Sequence, residues 1–166
     1  MKKIVAFACF LCGWLITPAS AQNNASKDIN QVISQYLAVK DALAAGDGNL
    51  ALSHAKDLLA AVKSVSPLAL TDAQRKTWLS YEPKLEFDSR HISEVNHVDH
   101  QREHFVTLSD NLYAVLKGLK LNKATLYHQY CTMNKHYYLS QAEKGKDPYM
   151  GMDNCSKVAD ILPAVK

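Results

Sequence analysis

Residues 28–48 read DINQVISQYLAVKDALAAGDG, and the spacing of their apolar positions decides the fold class. Ile29, Val32, Ile33, Tyr36, Leu37, Val39, Lys40 and Leu43 recur at steps of three and four, which is the period of a helix with one face turned to a core. Gly46-Asp47-Gly48 ends the run. A second helix begins at once, with Leu50, Ala51, His54, Leu58, Leu59 and Val62 on one side, and stops before Pro67. So short a connection makes the pair an antiparallel hairpin. Further along, Thr71-Asp72-Ala73-Gln74 reads as an N-cap with a glutamine three residues on, opening a third helix. Pro83 is expected to interrupt or kink it near Tyr81-Glu82, with the pattern continuing through Leu85, Phe87 and Ile92. A fourth segment, from about Ser93 to Leu119, carries Phe105, Leu108, Leu112, Val115, Leu116 and Leu119 as a continuous apolar stripe.

Beyond Gly118 the texture changes. Tyrosine, histidine and cysteine crowd together from Tyr127 to Cys131, and Glu143 to Pro148 is turn chemistry. Val158, Ile161 and Leu162 fit a short closing helix from about Asp153 to Leu162. The expected fold is therefore all-α, an antiparallel four-helix bundle reaching to about residue 119. An irregular Cys/Met/Tyr-rich segment, residues 120–166, folds onto it.

The N-terminus predicts export. Lys2 and Lys3 precede an apolar run from Ile4 to Ile16 that is short for a bilayer span, and Ala19-Ser20-Ala21 has the small-x-small pattern of a signal-peptidase site. Residues 1–21 are then a cleaved leader, 22–28 a flexible lead-in and 29–166 a single helical domain in the periplasm or outside the cell. Removing residues 1–21 from 166 leaves 145, and losing Lys2 and Lys3 lowers the formal charge from +3 to +1. No basic stripe with interleaved aromatics supports nucleic-acid binding. No other stretch has the length and apolarity to span a membrane.

The chemistry-bearing residues concentrate late in the chain. His128, Cys131, Met133, Met150, Met152 and Cys155 fall within 28 residues and include three of the four methionines. Thiolate, thioether and imidazole together select Cu(I) and related thiophilic ions. Cys131 and Cys155 are also the only cysteines left after processing, and in an oxidising compartment such a pair is a disulfide candidate. The two readings compete, because a bridged pair offers no thiolate. If the bridge forms, the methionines are expected to fill gaps in packing.

A second constellation is His97, His100 and His104, with His91 just upstream. Steps of three and four put the three on one helix face, where imidazoles suit Zn, Cu or Ni, unless the face is simply solvated. His54 and His136 have no partners in sequence. Arg102, beside the apolar stripe, needs a carboxylate or carbonyl partner and is expected to clamp the fourth helix to the C-terminal segment. Phe105 and Tyr149 are likewise expected to be structural. The chain has no GxSxG, HExxH, glycine-rich phosphate loop or CxxCH, so it is not expected to be an enzyme.

The run His100-Gln101-Arg102-Glu103-His104-Phe105, then Leu108-Ser109, Leu126-Tyr127-His128-Gln129-Tyr130-Cys131-Thr132-Met133, Tyr138-Leu139-Ser140, Asp147-Pro148-Tyr149 and Met152-Asp153-Asn154-Cys155 resembles the exported family known as domain of unknown function three-three-four-seven. Proteins of that kind look like Tyr-x-Gln-Tyr-Cys-Pro-Met, Trp-Leu-Ser, Asn-Pro-Tyr-x-Gly and Met-x-x-Cys-Gly in the same order. Here Thr132, Tyr138, Asp147 and Ser156 depart from the pattern, and no sulfur is lost. The family occurs alone and attached to periplasmic adaptor subunits of heavy-metal efflux pumps. The resemblance thus implies copper or silver handling, with an adaptor or other efflux component as partner.

Two functions follow as expectations. In the first, the protein carries a soft metal, above all Cu(I), with Ag(I) or Zn left open, as a carrier or accessory to efflux. Cys131, Met133, Met152 and Cys155 form the core ligand set, completed by His128 and by His100 or His104 reaching from the fourth helix. In the second, a Cys131–Cys155 disulfide staples a non-enzymatic interaction module, and Tyr127, Tyr130, Tyr137, Tyr138 and Tyr149 supply an aromatic docking surface.

Overall fold

Four helices, α1 (Ala19–Ala45), α2 (Gly48–Ser64), α3 (Asp72–Glu94) and α4 (Val98–Leu119), pack consecutively, α1 on α2, α2 on α3 and α3 on α4. The computed structural model describes residues 19–153 and 155–165. Most of the expected leader lies outside them. Among the described residues no helix is long and apolar enough to cross a membrane.

The helix ends follow the chemistry of the sequence. Gly46 has φ +74°, and the Asp47 carboxylate accepts the Leu50 N–H at 2.9 Å to cap α2. Thr71 and Gln74 form a reciprocal capping box at the start of α3. Pro83 does not end that helix, which continues to Glu94. The expected lead-in is also helical. Ala25 is fully buried, and Ser26 and Asn30 donate to the Leu121 carbonyl at 3.2 and 2.8 Å, so the first turns of α1 hold the chain leaving α4.

At the opposite corner, Gln101 is buried and shares its amide N–H groups among the Gly48, Ile92 and Val95 carbonyls at 2.9, 3.2 and 2.7 Å. The close approach there requires glycine at position 48, where a Cβ would stand 2.0 Å from the Asn96 carbonyl oxygen.

The C-terminal third corrects the all-α expectation. It forms an antiparallel sheet of β1 (Leu126–Cys131), β2 (Tyr137–Ser140) and β3 (Ser156–Leu162), in the order β2-β1-β3. The expected irregular segment is thus partly regular, and the expected closing helix is β3. The protein is mostly helical with a small sheet at its C-terminal end. The period of β3 was disguised because polar and apolar residues do not sort by face. Ser156, Val158, Asp160 and Leu162 are the more covered positions, while Ile161 is exposed. Asp160 is held on the covered side by the Tyr113 hydroxyl and by Lys117 Nζ at 3.0 Å, which lower its carboxyl pKa to about 2. A register shift between His128 and Gln129 further breaks the alternation of β1.

Bundle and sheet meet at Tyr36. Its ring is fully buried and stacks on Phe105 of α4 at 5.0 Å. Its hydroxyl accepts the Leu139 N–H of β2 at 3.0 Å and lies 2.8 Å from Ser109 Oγ of α4. Burial raises its pKa far above the ordinary phenol value, so the hydroxyl remains protonated. Tyr149 approaches the same serine at 3.4 Å and donates to the Tyr137 carbonyl.

Tyr36→Phe leaves the Leu139 N–H and Ser109 without this partner and is expected to destabilise the protein by about 1–3 kcal/mol. Urea unfolding measures the change, and an unaltered midpoint would contradict the assigned clasp.

Candidate functional site

The ends of β1 and β3 bring the two cysteines together. Cys131 pairs in register with Ser156, its Cα lies 5.1 Å from that of Cys155, and the two residues are joined by a disulfide. The Thr132 N–H donates to the Cys155 carbonyl at 3.2 Å. Bridged cysteines are not thiolate ligands, so the expected four-sulfur set is reduced to its thioethers in this state.

Asp147, fully buried, organises the loop around the bridge. Its carboxylate accepts from Asn134 Nδ2 at 3.2 and 3.1 Å and from the Met150 N–H at 2.8 Å. Its own N–H donates to the Met152 carbonyl at 2.9 Å. A carboxylate oxygen and the two Sγ atoms lie within 4.8 Å of one another. Asp147 therefore ties the turn after Cys131 to the methionine loop that leads to Cys155.

The methionines do not fill gaps in the core, as a structural bridge had led us to expect. Met133, Met150 and Met152 are 58%, 49% and 37% exposed. Met150 and His136, together with Asp99, Arg102 and Glu103, line a cavity of about 260 Å³ at the junction of α4 and the C-terminal segment. Arg102 donates to the Pro148 carbonyl and the Leu43 carbonyl, both at 3.0 Å, and so spans α1, α4 and the methionine loop. Phe105 is buried against Tyr36, and Tyr149 against Phe105.

The expected histidine ligands are elsewhere. His128 is sandwiched between Tyr113 at 3.7 Å and Tyr137 at 4.8 Å, nearly parallel to the first, and its buried Nε2 has no hydrogen-bond partner among the described residues. Desolvation lowers its pKa and keeps the ring neutral. His97 is the N-cap of α4 and lies outside the helical face on which the sequence had put it. His100 and His104 do lie one turn apart, but His104 contacts Asp88 and His91 of α3. Among the described residues, the only group of three or more His, Cys, Asp or Glu ligand atoms within 4.8 Å of one another is Cys131, Asp147 and Cys155. The single shared shell of sulfurs, His128 and α4 histidines is therefore not assembled, because β1 buries His128, His104 is held against α3 and His100 contacts His104 and Glu103 of its own helix.

A family model described as "Protein of unknown function (DUF3347)" matches residues 32–124. The chain belongs to this family. No curated protein and no solved structure matches it. The family match spans α1 from Val32 through α4 and ends just before β1, so in this DUF3347 protein the bridge and the three exposed methionines lie beyond the matched region.

Asp147 and His136 were missed as site residues. Asp147-Pro148 read as a turn, and His136 gains neighbours only once the hairpin is known, with the Cys131 N–H donating to its carbonyl at 3.1 Å.

Because the folded-state pKa of His128 is lowered, its contribution to stability is present above the unfolded value of about 6.5 and is lost as pH falls through the folded value. Denaturant unfolding between pH 7 and 5 should show a loss of stability that is shallower in His128→Phe, which keeps a ring in the stack. Equal slopes for the two proteins would remove His128 from the acid response.

Proposed function

We propose that this DUF3347 member is an exported soft-metal-binding protein that carries Cu(I) or Ag(I) through surface thioethers, as an accessory to metal efflux or homeostasis. The observation that carries this reading is the exposure of Met133, Met150 and Met152 around the Cys131–Cys155 bridge, with His136 beside Met150. Soft thioethers favour Cu(I), and imidazole is compatible with copper. The Lys2-Lys3 leader pattern supports export, and the family resemblance supports an efflux adaptor as partner.

In the bridged protein, capture falls to the methionines and His136. The exposure of the methionines allows ligand exchange with a partner's own sulfur or imidazole groups, which suits delivery better than storage. Asp147 holds the Met150–Met152 turn against Asn134, limiting the reorganisation needed on binding. Two-electron reduction of the bridge by an external dithiol would give two thiols beside the same loop, which lose their protons on binding the metal and raise affinity, so the redox state sets how tightly the cargo is held.

The bridge itself favours a second reading, a stapled interaction module. Its tyrosine surface is smaller than the sequence suggested. Tyr138 and Tyr149 are buried, leaving half-buried Tyr127, Tyr130 and Tyr137, while the exposed methionines would supply an adaptable apolar contact.

The two readings separate in an anaerobic Cu(I) titration of the oxidised protein against a competing chelator. The carrier account expects one-to-one binding weakened at least about tenfold, or 1.4 kcal/mol, by combined Met133→Leu, Met150→Leu and Met152→Leu substitutions. An undiminished affinity in that variant, or no binding by the native protein, would leave the interaction module.

A further inference from the structure

We propose that His91 of α3 with His100 and His104 of α4 forms a second metal site, separate from the methionine loop, for a borderline divalent first-row ion such as Zn(II) or Cu(II). The rings are already in contact. His91 and His104 stack at 4.6 Å between centroids, and His100 meets His104 edge-on at 4.9 Å. The ring of Phe87 lies 4.1 Å from that of His91 and 5.8 Å from that of His104, giving the cluster an apolar wall.

The hydrogen bonds fix which nitrogen each imidazole presents. His91 Nδ1 lies 2.8 Å from the Phe87 carbonyl, which can only accept, so Nδ1 carries the proton and Nε2 keeps its lone pair. His104 Nδ1 lies 3.2 Å from Asp88 Oδ1, and the same logic applies. His100 Nδ1 faces Glu103 Oε2 at 3.4 Å. All three rings thus direct Nδ1 toward a carbonyl or carboxylate, leaving Nε2 as the free donor, which is the arrangement that orients metal-ligating histidines. Asp88 suits that role because its side chain is only 5% exposed and its other oxygen accepts from Thr107 Oγ1 at 2.8 Å. A buried carboxylate behind His104 orients the ring and favours a cation on its far side.

The three imidazoles are not yet gathered to coordination distance, since among the described residues only the Cys131, Asp147 and Cys155 group lies within 4.8 Å. His100, 47% exposed at its side chain, is free to rotate toward the other two. Three imidazoles and a water would complete a four-coordinate shell with metal–nitrogen distances near 2.0–2.1 Å. The site draws one ligand from α3 and two from α4, so occupancy would pin the two helices together.

The test is a Zn(II) titration of the oxidised full chain against a chromophoric chelator, in which the bridged cysteines cannot take part. One ion per chain is expected, with affinity falling at least tenfold in His91→Ala, His100→Ala and His104→Ala. Asp88→Asn should lower it by about 10–100-fold. His97→Ala, outside the cluster, and the triple methionine variant should bind as the native protein does, which separates this site from the proposed Cu(I) carrier function. His100 is at the surface, so its substitution tests the site without threatening the fold. Native affinity in His100→Ala and His91→Ala, equal losses in His97→Ala, or no Zn(II) binding at all would overturn the proposal.

Discussion

The hydroxyl of Tyr36 sits where a helical bundle and a sheet edge would otherwise leave backbone polarity unsatisfied. β2 lies against α4, and its Leu139 N–H points into protein where no water competes. A buried N–H without an acceptor costs about 1–3 kcal/mol, so the sheet can dock only if the bundle supplies one. Tyr36 does so from the middle of α1, while its ring fills the space against Phe105. Ser109 then links it to Tyr149, whose hydroxyl ends on the Tyr137 carbonyl, so both ends of this polar run are on β2. The sheet's position, and with it the position of the bridge, depends on that run.

From there the C-terminal segment is built by successive commitments of polar groups. The Asn122 amide donates to the Ala124, Leu162 and Pro163 carbonyls at 3.0, 3.3 and 2.9 Å, closing β3 against the start of the sheet. Gln129 donates to the Ala142 and Glu143 carbonyls at 3.1 and 2.9 Å, and Arg102 holds the Pro148 and Leu43 carbonyls. With the backbone satisfied in this way, the Met150–Met152 loop presents thioethers to solvent from a hydrogen-bonded turn. The disulfide closes the far end, joining the last residue of β1 to the residue just before β3.

The helices were legible because their signals are local. The three–four spacing from Ile29 to Leu43, the Gly46-Asp47-Gly48 break and the Thr71–Gln74 box each act within a few residues. The strands were not, because their faces are set by partners far away in sequence. Asp160 belongs on the covered side only because Tyr113 and Lys117 are there, and Ile161 is thereby turned outward. The sulfur cluster was visible as a composition, but its state was not, since a dithiol and a disulfide share one spacing. His91 was likewise seen beside α4 without a reason to prefer it over His97, a choice that the α3–α4 turn makes by capping the helix with His97.

Under the proposed carrier function the bridged protein, with its cysteines unavailable, is the form that takes up soft metal through exposed methionines. Native mass spectrometry of the oxidised protein after anaerobic Cu(I) loading tests this most directly, because the bridged and reduced chains differ in mass by the two thiol hydrogens. One copper on chains that retain the bridge is the predicted result. Copper confined to the reduced chains, with the bridged ones bare, would contradict it and return the cysteines to the centre of the site.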